Sequence, residues 1–140
     1  MSFEEFITRK MKLDEELYKL EEKIAALRAR AEKSTTSLSL APGGNAYNDS
    51  RLEELVIRIA DLEAEEEALR KESLGVSAEL STFLSALPDP DEMKVLLLRY
   101  VDLMTVEEIA EAMARSKSFV KRKHRSALAA ARLLYMAESC

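Results

Sequence analysis

Between Arg115 and Arg132 the chain carries seven basic residues, Arg115, Lys117, Lys121, Arg122, Lys123, Arg125 and Arg132, and no aspartate or glutamate. In a helix, Lys117, Lys121 and Arg125 share one face because they fall four apart. Ser118, Arg122 and Arg125 share the adjacent face. Such a row can meet phosphate oxygens, and side chains near the N-terminus of a helix laid in a major groove reach base edges. The chemistry offered is charge-assisted hydrogen bonding to a polyanion rather than bond breaking. Little else in the chain suggests a reaction. His124 is the single histidine and Cys140 the single cysteine, far apart in sequence. His124 is therefore expected to face the groove or pack between helices. Glu65, Glu66 and Glu67 point in different directions on a helix, which reads as a solvated face rather than a metal site. No phosphate-loop, nucleotide-binding or zinc spacing occurs. The expectation is a protein that is not an enzyme, with no cofactor and no metal.

The basic helix needs a frame, and Thr105 to Val120 provides one. Two helices that cross closely need a small residue at the crossing, and Ala110 supplies it. Val106, Ile109 and Met113 form one apolar face, and Val120, Ala127 and Leu128 the other. Thr105, with Glu108 three residues on, reads as a capping box, and Ser116 caps the basic helix. This spacing predicts a helix-turn-helix with helices at about Val106 to Ala114 and Lys117 to Met136. Upstream, Leu87-Pro88-Asp89-Pro90 ends a long helix, and Asp89 or Asp91 caps a further one from about Pro90 to Tyr100.

The first 87 residues follow a different period. Phe6, Leu13, Leu20 and Leu27 recur by sevens, and Phe3, Leu17, Ile24 and Ala31 make a second row broken only by Lys10. Ser2 and Glu5 read as a capping box for a helix to about Lys33. From Ser50, capped with Glu53, Leu55, Leu62, Leu69, Val76 and Phe83 repeat by sevens to about Leu87. Leu52, Ile59, Leu80 and Leu87 make the other row, interrupted by Glu66 and Ser73, which could face further helices or set a dimer register. Gly75 is a weak point at which this helix could bend or break. Ser34 to Ser50, with Pro42, Gly43 and Gly44, reads as a flexible loop. Its hydroxyls could hold a phosphate, although a solvated linker is the simpler reading. The expected fold class is all-α: a long antiparallel, coiled-coil-like hairpin over 1–87, with loop 34–50, then a small helix-turn-helix bundle over 88–140.

Composition agrees with helices. The chain has 140 residues, 34% charged and 47% hydrophobic, with three Gly and three Pro. The net charge of −5 would argue against a polyanion partner if charge were spread evenly, but it is segregated. The lone cysteine suggests a reducing compartment, and the acidic start is unlike a signal peptide. No apolar run reaches the roughly 20 residues a membrane span needs. A cytoplasmic protein with no membrane partner is expected.

Leu87-Pro88, then Val95-Leu96-Leu97-Leu98-Arg99-Tyr100-Val101-Asp102-Leu103-Met104-Thr105-Val106-Glu107-Glu108-Ile109-Ala110, resembles the opening of sigma factor region four. The likeness covers about Leu87 to Leu134. The whole chain also resembles a family of small phage and prophage proteins of Gram-positive bacteria with a helical first half and a region-four-like C-terminus. The resemblance implies a sequence-specific, DNA-binding transcription regulator of phage type in a bacterial cytoplasm, with recognition helix 117–128 in the major groove. The DNA-contact set is Thr105, Arg115, Ser116, Lys117, Ser118, Lys121, Arg122 and Arg125. By position, Lys117, Ser118 and Arg122 would read bases, Lys121 and Arg125 would hold phosphates, and Thr105 would touch the backbone. Double-stranded DNA is the implied partner, RNA polymerase a second one, and the hairpin offers a homodimer surface. A polymerase-binding adaptor and the DNA-recognition subunit of a phage packaging machine are the alternatives. The chain departs from the family pattern at Ala114, where Gly or Asp is usual, and at Arg115 and Lys123, where apolar residues are usual. Ser118 replaces an acidic base reader of primary sigma factors. Two lost apolar positions predict a looser C-terminal unit.

Overall fold

A computed structural model of the chain describes the backbone of residues 2–40 and 46–138, and the side chains of 2–33 and 50–138. All regular structure among them is helical: α1 (Phe3–Leu40), α2 (Ala46–Leu84), α3 (Pro90–Tyr100), α4 (Val106–Met113) and α5 (Lys117–Glu138). The fold is all-α, with two long helices packed together as an antiparallel hairpin and three short ones following. The chain forms two compact units, one of residues 13–72 and one combining 1–12 with 73–140.

Unit 13–72 is the hairpin. Leu13, Leu20, Ile24 and Leu27 of α1 are buried as the heptad rows predict. Arg28 pairs with Glu63 at 2.5 Å, and Arg70 pairs with Glu21 at 3.1 Å. Seven residues forward on α1 is thus seven residues back on α2, which is antiparallel pairing. Glu66, the polar residue in the α2 row, is held at 3.1 Å by the same Arg70, so the interruption closes with a Glu21–Arg70–Glu66 network. These pairs are largely exposed and fix register more than they add stability. Glu67 pairs with Lys71, in keeping with a solvated acidic face, and no acidic cluster able to hold a metal occurs among the described residues.

Helix α1 extends to Leu40 and α2 begins at Ala46, so both ends of the segment expected as a loop are helical. Ser and Thr cost only a few tenths of a kcal/mol in a helix interior, so nothing in 34–40 forces an end. The Pro42-Gly43-Gly44 stretch lies outside the described residues. Ser50 consequently sits inside α2 rather than capping it. Helix α2 also continues through Gly75, and a Cβ built there meets nothing within 4 Å. Gly75→Ala is therefore expected to raise stability by about 0.5–1 kcal/mol, read as a higher urea midpoint at unchanged slope.

The second unit holds more than residues 88–140. Residues 1–12 and 73–87 pack with α3–α5. Phe3 stacks near Phe83 and Tyr135, and Phe6 near Tyr135, with ring centroids 5.6–6.5 Å apart. Arg132 of α5 donates to Glu4. Ser2 and Glu5 form the expected capping box, each backbone N–H donating to the other's side chain. Lys10, which breaks the α1 row, is only 1% exposed and has a bonding partner. No buried side-chain polar atom among the described residues lacks one.

Candidate nucleic-acid interface

Helix α3 starts where Pro90 presets the first turn. The Asp89 carboxylate accepts from the Asp91 and Glu92 backbone N–H groups at 2.9 and 3.3 Å. Its other oxygen accepts from the Lys123 ammonium at 2.9 Å. One carboxylate therefore both caps α3 and ties it to α5. The Lys123 contact, with the two backbone donors, holds the Asp89 carboxyl below its ordinary range, and Asp89 in turn raises Lys123. At the other end of α3, Arg99 donates to the Met104 carbonyl at 2.8 Å across the link to α4. Tyr100 meets His124 Nε2 of α5 at 2.8 Å.

Helix α4 begins with the predicted capping box: Glu108 N–H donates to Thr105 Oγ1, and Thr105 N–H donates to the Glu108 carboxylate, both at 3.2 Å. It ends in a Schellman motif, with Arg115 N–H on the Ala110 carbonyl and Ala114 N–H on that of Glu111. The motif needs a left-handed residue, and Ala114 takes φ 55°, ψ 45°. A methyl-bearing residue is strained there by about 1–2 kcal/mol. Ala114→Gly is expected to recover up to about 1 kcal/mol, read as a higher melting temperature. Unchanged or lower stability would mean the strain is not felt.

The turn then delivers α5. Ser116 Oγ accepts from Phe119 N–H at 3.1 Å, as an N-cap. Val95, Ile109, Ala110 and Val120 form the buried core that joins α3, α4 and α5, with Leu98, Met104, Val106 and Met113 packed against it. Ala110 occupies the buried crossing, and Ala127 is fully buried further along α5.

The eight expected contact residues separate into two groups. Thr105 and Ser116 use their side-chain oxygens as caps. The Arg115 guanidinium lies 4.7 Å from the Phe119 ring centroid. Lys117 pairs with Glu107 at 3.6 Å. That cation, after a backbone hydrogen bond, helps hold Glu107 below the usual carboxylate range. Ser118, Lys121, Arg122 and Arg125 are all exposed on α5, and none has a side-chain partner among the described residues. Ser118 and Arg122 lie on the helix face opposite Val120, Ala127 and Ala131, and Lys121 and Arg125 flank it on the side of Leu128.

The two positions where the family pattern has apolar residues are both occupied by partnered cations. Lys123 meets Asp89, and Arg115 lies over Phe119. Sequence reading missed the Asp89–Lys123 pair and the anchoring role of Arg99. The signal was present for Lys123: three residues after Val120 and four before Ala127, it falls beside the inward face. His124 packs rather than facing outward. Burial, and then the Arg99 charge, push its pKa below the ordinary value, while burial raises that of Tyr100. Both groups are thus neutral at pH 7. The unfolded chain takes up the His124 proton more readily, so its contribution is complete above about pH 6.5 and is lost as pH falls through the lowered folded value. His124→Gln is expected to flatten the loss of melting temperature between pH 7 and 5. An equally steep loss would place the acid sensitivity elsewhere.

No helix among the described residues is long and apolar enough to cross a membrane. No curated protein and no solved structure matches this chain. The geometry nevertheless agrees with one comparison: residues 84–132, holding α3, α4 and most of α5, match the family model of sigma-70, region 4, a family of DNA-binding helix-turn-helix domains.

Proposed function

We propose that this protein is a sequence-specific DNA-binding transcription regulator of phage type that lays residues 117–128 of α5 in the major groove. The observation that carries the proposal is the unpartnered cationic face. On a chain of net charge −5, Lys121, Arg122 and Arg125 stand exposed without a side-chain counter-ion among the described residues, on a helix whose start is set by a capped turn. Like charges on one face repel, and a polyanion relieves that repulsion while releasing its own counter-ions. Ser118 and Arg122 are the base readers, with Lys117 joining them when Glu107 releases it. Lys121 and Arg125 take phosphates, and Thr105 and Arg115 flank the backbone. The hairpin supplies a homodimer contact, for which the exposed Val56, Ile57 and Tyr18 are suited. The setting is the cytoplasm of a bacterial host, and no catalysis is involved.

Selection from randomised duplex DNA at near-physiological salt, followed by sequencing, tests the reading. Enrichment of a defined motif is expected, with two half-sites if the hairpin dimerises. Weak, salt-sensitive binding without enrichment would overturn it and favour an adaptor that docks on RNA polymerase. A ring-sized oligomer in light scattering would instead favour a packaging subunit.

A further inference from the structure

Beside the cationic face lies a cavity of about 410 Å³, bounded by α3, α4 and α5. Its size falls within the roughly 300–1,000 Å³ of small-molecule sites. The accessible apolar surface comes from Val106 and Leu128, over a floor of the core residues Val95, Ile109 and Val120, which are themselves at most 1% exposed. The polar lining is Arg99, Lys121, His124 and Arg125. No acidic residue lines it, although Asp and Glu outnumber Lys and Arg in the chain by 26 to 21. Arg99 is fixed by its bond to the Met104 carbonyl, so its charge is pre-positioned, and its field is felt by both His124 and Tyr100.

An open, mostly apolar groove edged only by cations and one neutral imidazole is complementary to a molecule with an apolar body and an anionic head. We propose that this groove binds a small amphipathic organic anion, its hydrocarbon against Val106 and Leu128, above the core residues Ile109 and Val120, and its head held by Arg99, Lys121 and Arg125. Guanidinium forks suit carboxylate and phosphate heads alike. Lys121 and Arg125 are also the phosphate contacts of the proposed function, and neither side chain can serve both ligands at once. Occupancy therefore weakens DNA binding, a consequence that rests on that reading, whereas the binding site itself does not.

The test titrates the full chain with decanoate, decyl phosphate and decan-1-ol, following methyl resonances by NMR. Saturable shifts at Val106, Ile109, Val120 and Leu128 are expected with one or both anions, and which anion binds more tightly identifies the head group. In the double variant Lys121→Gln, Arg125→Gln, whose sites are exposed and outside the core, affinity is expected to fall at least about tenfold, because two of the three cations that hold the head are lost. Absence of saturable binding, equal affinity for decan-1-ol, shifts confined to other residues, or indifference to the double variant would each overturn the site. Where selection has yielded a duplex, the bound anion is expected to raise its apparent Kd, and an unchanged Kd would overturn the coupling. Where no duplex is selected, the direct titration still decides the cavity, so the two readings fail separately.

Discussion

Arg122→Ala is expected to weaken binding to the selected duplex by about 1–3 kcal/mol, roughly 5- to 150-fold, and to relax preference at one base position. Arg122 is exposed, lies six residues after the N-cap of α5, and has no partner among the described residues that its loss would orphan. Its removal should therefore leave the melting temperature unchanged within about 0.5 kcal/mol equivalent. A planar fork on a helix in the major groove suits the two acceptors of a guanine edge, and alanine offers neither donor nor charge. Competition between the selected duplex and single-base variants separates the outcomes. Uniform weakening across all sequences would reassign Arg122 to a phosphate. Lys121→Ala provides the contrast: every sequence is expected to lose affinity together, and the salt slope to flatten by about one unit.

Ile109→Ala carries the largest expected effect on folding, a loss of about 2–5 kcal/mol from the unit containing α3–α5. Ile109 is 1% exposed and packs with Val95, Ala110 and Val120 where the three helices meet. Truncation leaves a hole that neighbours on three elements cannot fill together. Because whole domains are stable by only about 5–15 kcal/mol, such a loss would also deplete the DNA-binding conformation. Urea unfolding at constant slope measures it, with Leu74→Ala, at an exposed position of α2 outside the proposed dimer contact, as a control expected to move less than about 0.5 kcal/mol. A loss below about 1 kcal/mol for Ile109→Ala would show that this core does not hold the helix-turn-helix together.

The helix ends show how far local signals reach. Pro90–Tyr100 matches its sequence expectation at both ends, since Asp89, Pro90 and the residues after Tyr100 act within one turn of the boundary. The Ser2–Glu5 and Thr105–Glu108 boxes are likewise contacts between residues three apart. The Ser50 cap failed because a capping pattern says only what a helix start would look like, not that the chain stops being helical before it. Gly75 failed as a break for a related reason: its cost of about 1 kcal/mol is small beside the long helix on either side.

Periodicity and local spacing by themselves determined that the chain is helical, that its first half pairs as a hairpin, and that a cationic helix follows a capped turn. These properties live in residues one to two turns apart, where backbone geometry alone sets who is neighbour to whom. Tertiary structure decided which cations are engaged by other side chains among the described residues. Lys123 is engaged because Asp89, 34 residues away, reaches it; His124 is kept neutral by burial and by Arg99; Arg132 finds Glu4 across 128 residues. The same packing set Lys121 and Arg125 beside an apolar cavity built from three helices. No local pattern encodes such pairings, because charge and burial act through space and depend on how the helices cross.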